Sequence, residues 1–304
     1  MTNMTIKSIN LYEYFGVSKQ EECVGDLTCY IHKDYDFAKD RFRPAILFVA
    51  GGGYANVSER EKEPVALKYI ESGFNCFILD YSTAPKAYPT QLIEGIMAML
   101  YIRKNAEEFS IDKTHVAALG FSAGAHLCGL LSTIEQDEMP SYFLEWKVDD
   151  VRPNAVVLGY PVVSALCFSH KGSIQNISGR NEALYSKLSI ENRVNKNSSP
   201  AFIWGCLDDP VVDSNNGFML AQAYKKLGVA FEYHLFESCN GVHGLSICEK
   251  ETLYENETVK LWLELSKNWL KNRGFLVKDY VKKLNSQWLN WFCLSDVTNL
   301  ICSW

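Results

Sequence analysis

The stretch Gly120-Phe-Ser122-Ala-Gly124 sets a serine between two glycines, at the junction of two different patterns. Val116 to Leu119 reads as a short buried strand, and Ala123 to Thr133 as a helix of small and apolar residues. The serine therefore falls on the turn between them, where its hydroxyl stands clear of a sheet. The glycines remove side chains where strand and helix come close, and the helix N-terminus favours negative charge nearby. The chemistry expected of Ser122 is nucleophilic attack on an acyl carbon.

A serine hydroxyl needs a base, and the base needs a partner that fixes its ring. Of the 6 histidines, His243 is the best placed, in the loop Cys239-Asn-Gly-Val-His243-Gly244 after the last strand pattern. His234 within a strand and His115 at a strand entrance read as structural. His126, one turn past Ser122, reads as buried polar support, and His32 and His170 have no supporting context. The acid is expected after the preceding strand, where Trp204-Gly-Cys-Leu-Asp208-Asp209-Pro offers two adjacent carboxylates. Either could accept the His243 ring N–H.

An oxyanion also needs donors. Gly51-Gly-Gly-Tyr54 follows the apolar run Ala45 to Ala50 directly, and glycines there let backbone N–H groups turn toward developing charge. The expected oxyanion hole is the N–H of Ala123 with those of Gly52 and Gly53. The same glycines lack the G-K-[ST] ending of a phosphate-binding loop, and no G-x-G-x-x-G occurs here, which argues against a nucleotide.

These groups need a scaffold, and the chain alternates strand and helix patterns. Strands are predicted at Ala45–Ala50, Phe74–Asp80, Val116–Leu119, Ala155–Leu158, Ala201–Trp204 and Phe231–Phe236. Helices are predicted at Glu63–Ser72, Pro89–Asn105, Ala123–Thr133, Gly217–Leu227 and Glu257–Lys271. Uninterrupted apolar strands between amphipathic helices imply an α/β fold, a mostly parallel central sheet with helices on both faces in three layers. Residues 1–275 are expected to form a single domain. Within it, 168–199 is poor in apolar anchors and reads as a cap, a lid or a solvated excursion. The tail 276–304, with Trp288, Trp291 and Trp304, reads as an extra helix or an oligomer contact.

With 47% hydrophobic and 22% charged residues, the composition is that of a soluble globular protein. A net charge of −6 and no basic stripe argue against nucleic acid. No apolar run is long enough to span a membrane, and the N-terminus has no signal-peptide pattern. The 10 cysteines are scattered without a C-x-x-C pair. They read as reduced thiols in a cytoplasmic protein, with no metal site and no cofactor.

Assembled, these residues resemble the α/β-hydrolase superfamily from about Asp26 to Phe275. Within it the chain is most similar to bacterial esterases of the acetyl-xylan-esterase and hormone-sensitive-lipase-like type. The resemblance is carried by Phe48-Val-Ala-Gly-Gly-Gly-Tyr54, Ser58-Glu-Arg-Glu61, Glu63-Pro-Val-Ala66, Asp80-Tyr-Ser82, Gly120-Phe-Ser-Ala-Gly-Ala-His-Leu127, Gly159-Tyr-Pro-Val162, Asp208-Asp-Pro-Val-Val212 and His243-Gly-Leu245. It implies the α/β-hydrolase fold and ester hydrolysis without a cofactor, often deacetylation of sugar esters. It also implies Asp208 as the triad acid, three residues after the matched Gly205. The sequence departs from the family at Ala50, where lipase-type relatives carry His, and at Asn240-Gly-Val, where glycines are usual.

The expected function is hydrolysis of short-chain, small-molecule carboxylic esters through an acyl-enzyme on Ser122. Amide or peptide hydrolysis by the same triad and a non-catalytic α/β-hydrolase scaffold are the alternatives.

Overall fold

The computed structural model describes residues 4–33 and 41–279. Eight strands form the central sheet: β1 Met4–Asn10, β2 Asp26–His32, β3 Arg41–Val49, β4 Asn75–Asp80, β5 Ile111–Phe121, β6 Ala155–Gly159, β7 Ala201–Cys206 and β8 Phe231–Phe236. Their spatial order is β1-β2-β4-β3-β5-β6-β7-β8, and a short β9, Lys278–Asp279, pairs with the start of β3. From β4 through β8 all pairings are parallel, while β1 and β2 join antiparallel at one edge.

Alternation along the buried strands divides the core in two. Ala45, Leu47 and Val49 face one cluster with Val116, Ala118, Val156, Leu158 and Ile203. Ile46 and Phe48 face the other with Ala117, Leu119, Val157, Phe202 and Trp204. Helices Thr90–Lys104, Ala123–Ser132 and Asn215–Leu227 cover the first face. Helices Glu63–Ile70 and Trp262–Asn272 cover the second. This is the three-layer α/β-hydrolase arrangement, with the central segments 45–49, 116–119, 155–158 and 201–204 apolar because both faces are buried.

The helix expected from Glu257 starts at Trp262 instead. The Asn256 side chain accepts from the Val259 N–H at 3.0 Å and caps a 3-10 turn, Val259–Leu261, that leads into it. Segment 168–199 is folded, with helices Lys171–Ser178, Tyr185–Leu188 and Ile190–Arg193. It is anchored through buried Ile174, Ile177, Leu188 and Ile190, and through Arg193, whose guanidinium donates to Glu138 at 3.0 and 2.5 Å. The tail assigned to 276–304 lies outside the described residues beyond 279. No helix among the described residues is long and apolar enough to cross a membrane.

The parallel strands bring their C-terminal ends to one rim of the sheet. Gly51–Gly53 follow β3, Ser122 follows β5, Asp208 and Asp209 follow β7, and the His243 loop follows β8. That rim is where ligands bind in open α/β sheets.

Candidate active site

Ser122 occupies φ +50°, ψ −117°, a backbone conformation that side chains rarely adopt. Its N–H donates to the Gly159 carbonyl at 2.9 Å, and its own carbonyl accepts from His126 and Val162. The glycines on either side are sterically required. A Cβ at Gly120 would lie 2.4 Å from the Gly124 carbonyl oxygen, and one at Gly124 would lie 2.0 Å from that of Val49. The sequence pattern is thus explained by the close crossing of β5, its helix and β3.

The Ser122 hydroxyl lies 3.0 Å from His243 Nε2, and His243 Nδ1 lies 2.7 Å from Asp209 Oδ2. In the neutral ring this sets the proton on Nδ1, donated to Asp209, and leaves Nε2 to accept from the serine. The other Asp209 oxygen accepts from the N–H groups of Val211 and Val212 at 2.9 and 3.0 Å. The carboxylate is therefore oriented from both ends.

This corrects the expectation for Asp208. Its carboxylate faces the start of the histidine loop, accepting from the Ser238 hydroxyl at 2.5 Å and the Cys239 N–H at 2.6 Å. Those hydrogen bonds, Ser238 foremost, hold its pKa down to about 2. Asp208 fastens the loop that carries His243, while its neighbour touches the histidine ring itself. Pro210 and the turn closed by Asp209 were the local signal. An acid before proline that can accept from the N–H groups of the second and third residues beyond it is already held in place.

The glycine loop has its carbonyls occupied. Gly51 O accepts from Ser58 N–H at 3.0 Å, Gly52 O from Ala55 N–H at 3.0 Å, and Gly53 O from the Asn176 amide at 2.9 Å. At Ala50, where the resemblance implied a histidine, the carbonyl accepts from the Tyr81 hydroxyl at 2.8 Å. Gly52 at φ +123° needs to be glycine, since a Cβ would sit 2.2 Å from the Asn56 carbonyl oxygen. The N–H groups of Gly52 and Gly53 make no backbone hydrogen bond among the described residues. Ala123 opens its helix, where the first N–H has no partner within the helix.

Two residues without an assigned role in the sequence line the same cleft, about 380 Å³ in volume, with Ser122 and His243. Glu61 is buried, and burial raises its pKa. His170 enters from the segment 168–199 as the cap of its first helix. The His170 Nδ1 accepts from the Ser173 N–H at 3.3 Å, which leaves the proton of the neutral ring on Nε2. Burial and then the neighbouring His243 lower its pKa. Its sequence signal was a histidine three residues before a serine at a helix start, which reads only as a cap. A second cleft of about 450 Å³, lined by Tyr12, Phe15, Tyr142 and Phe143, contains none of Ser122, Asp209 and His243.

His126 is the buried support expected. The Tyr54 hydroxyl donates to its Nδ1 at 2.8 Å, and its Nε2 donates to the Leu188 carbonyl at 2.7 Å, joining the elbow helix to the inserted segment. Burial brings its pKa down to about 4. An unfolded histidine titrates near ~6.5, so between these values the unfolded chain binds a proton that the folded chain refuses. Stability present above pH ~6.5 is therefore lost as pH falls toward 4, by up to roughly 3 kcal/mol from this group. Urea unfolding should show His126→Asn less stable than the wild type at pH 7 but losing less between pH 7 and 4.5. Equal losses would place that pH dependence elsewhere.

The sequence model of the BD-FAE family matches residues 34–224. Endo-1,4-beta-xylanase B of Butyrivibrio fibrisolvens is 32% identical over 234 residues, covering 75% of this chain and 36% of that protein. Acetylxylan esterase of Xylanibacter ruminicola is 31% identical over 212 residues, covering 66% of this chain and 40% of that protein. The chain thus spans well under half the length of these curated relatives. Among solved structures, an acetyl ester-xyloside bifunctional hydrolase from Caldicellulosiruptor lactoaceticus superposes with a TM-score of 0.75. It shares 32% identity and is covered over 98% of its length by 91% of this chain.

Proposed function

Since the chain belongs to the BD-FAE family and its domain is that of a carboxylic ester hydrolase, we propose that it removes short acyl groups, acetyl foremost, from carbohydrate hydroxyls through an acyl-enzyme on Ser122. The observation that carries this reading is the unbroken line Asp209–His243–Ser122, at 2.7 and 3.0 Å, opening on a cleft beside the Gly52 and Gly53 N–H groups.

His243 takes the Ser122 proton as Oγ attacks the ester carbonyl carbon, and Asp209 stabilises the resulting imidazolium. The negative oxygen of the tetrahedral intermediate is received by the N–H groups of Gly52, Gly53 and Ala123. The intermediate collapses with cleavage of the carbon–oxygen bond to the alcohol, which leaves with the proton from His243. Water, deprotonated by His243, then attacks the acyl-enzyme, and collapse frees the acid and restores the Ser122 hydroxyl.

The preference for a sugar alcohol is supported by polar side chains of the cleft, and that for a small acyl group by the similarities above. Asn56, Ser58, Arg60, His170 and Asn176 outnumber the apolar side chains of Ala55 and Val211. The polar side chains suit the hydroxyl groups of a carbohydrate. The similarity to an acetylxylan esterase and to an acetyl ester-xyloside hydrolase supports the same choice.

The test is turnover of p-nitrophenyl acetate, butyrate and octanoate beside acetate release from acetylated xylo-oligosaccharides. Acetyl should exceed octanoyl by at least ~10-fold in kcat/KM if the chain shares the short-acyl preference that its similarity to acetyl esterases supports. Faster octanoyl turnover would overturn the short acyl group. Turnover of the p-nitrophenyl acetate without release from the oligosaccharides would overturn the carbohydrate.

A further inference from the structure

The catalytic line leaves one buried carboxyl unused. Glu61 lies between the oxyanion loop and the histidine loop, and each of its oxygens is engaged. Oε2 accepts from the Gly51 N–H at 2.7 Å, and Oε1 accepts from the Tyr160 hydroxyl at 2.7 Å. The Tyr160 oxygen in turn accepts from the Ser246 N–H at 3.1 Å, three residues beyond His243. The Tyr160 ring meets the His243 imidazole edge-on, with centroids 4.9 Å apart.

The chain around Glu61 reinforces the connection. The Arg60 carbonyl accepts from the Ser246 hydroxyl at 2.5 Å, and its guanidinium donates to the His243 carbonyl at 3.5 Å. Tyr160 also directly follows Gly159, whose carbonyl accepts the Ser122 N–H. A single run, Gly51–Glu61–Tyr160–Ser246, therefore links the donors, the nucleophile's strand and the base.

Burying a carboxyl is costly unless its oxygens are satisfied, and here the partners are a loop that must present N–H groups and a tyrosine that braces a catalytic ring. We propose that Glu61 is a positioning residue, which through Tyr160 sets the placement of the oxyanion loop relative to His243. The inference rests on the serine-esterase reading above and adds a residue outside the Asp209–His243–Ser122 line.

Glu61→Gln retains the shape but puts an amide NH2 in place of one acceptor oxygen, so either the Gly51 N–H or the Tyr160 O–H loses its acceptor. With p-nitrophenyl acetate, kcat should fall about 10- to 100-fold while KM stays within about 3-fold, as expected for misplaced catalytic groups. Labelling of Ser122 by a fluorophosphonate should slow by a comparable factor. Tyr160→Phe keeps the ring against His243, removes the bridge, and should reproduce the loss. The double variant should be no more than about 3-fold worse than the weaker single variant, since both break one connection.

Thermal melts establish that each variant is folded. A folded Glu61→Gln with unchanged kcat and labelling, a loss confined to KM, or fully multiplicative losses in the double variant would overturn the proposal. Failure of the wild type itself to label at Ser122 would instead overturn the reading on which it rests.

Discussion

Ser122→Ala is expected to lower kcat for acetyl esters by about 10⁶-fold, the scale found when a triad serine is removed elsewhere. The fold should survive. Alanine retains the Cβ, so the strain at φ +50° is carried equally by both residues, and the lost hydroxyl donates to His243 rather than to the scaffold. Wild-type protein should gain one fluorophosphonate adduct by intact mass, on the peptide containing Ser122, and the variant none. Retention of even a tenth of the activity would remove Ser122 from the nucleophile's role. An adduct that persists in the variant would point to another serine.

Much of this arrangement was legible because the parallel core leaves simple marks. Strands β3 to β7 are buried on both faces, so they read as apolar runs, and the glycines after β3 and around Ser122 stand where backbones nearly touch. The antiparallel strands β1 and β2 at one edge were not legible in the same way. In β1, Met4, Ile6 and Ile9 follow no clean two-residue alternation, and Ile6 is exposed in the structure. Segment 168–199 was ambiguous because its anchors, Ile174, Ile177, Leu188 and Ile190, are few and spread over three short helices. Glu61 and His170 were hidden for a different reason. Their surroundings, Gly51, Tyr160 and the cleft beside Ser122, are brought together by the tertiary fold and not by spacing along the chain.

The choice between Asp208 and Asp209 is the point where resemblance and geometry part, and substitution separates them. Asp209→Asn should lower kcat by about 10³- to 10⁴-fold, because an amide can donate to Nδ1 and favour the tautomer that cannot accept the serine's proton. Asp208→Asn should remain within about 5-fold, since an amide oxygen still accepts from the Cys239 N–H and holds the loop. Asp208→Ala should cost more than Asp208→Asn. It frees both Ser238 and Cys239, loosening the turn that leads to His243. The expected pattern is thus a chemical loss at Asp209, where even the isosteric change is severe, and a structural loss at Asp208, where acceptance by any oxygen suffices. The reverse order of the two Asn variants would return the triad to Asp208 and require the His243 loop to rearrange in the working enzyme.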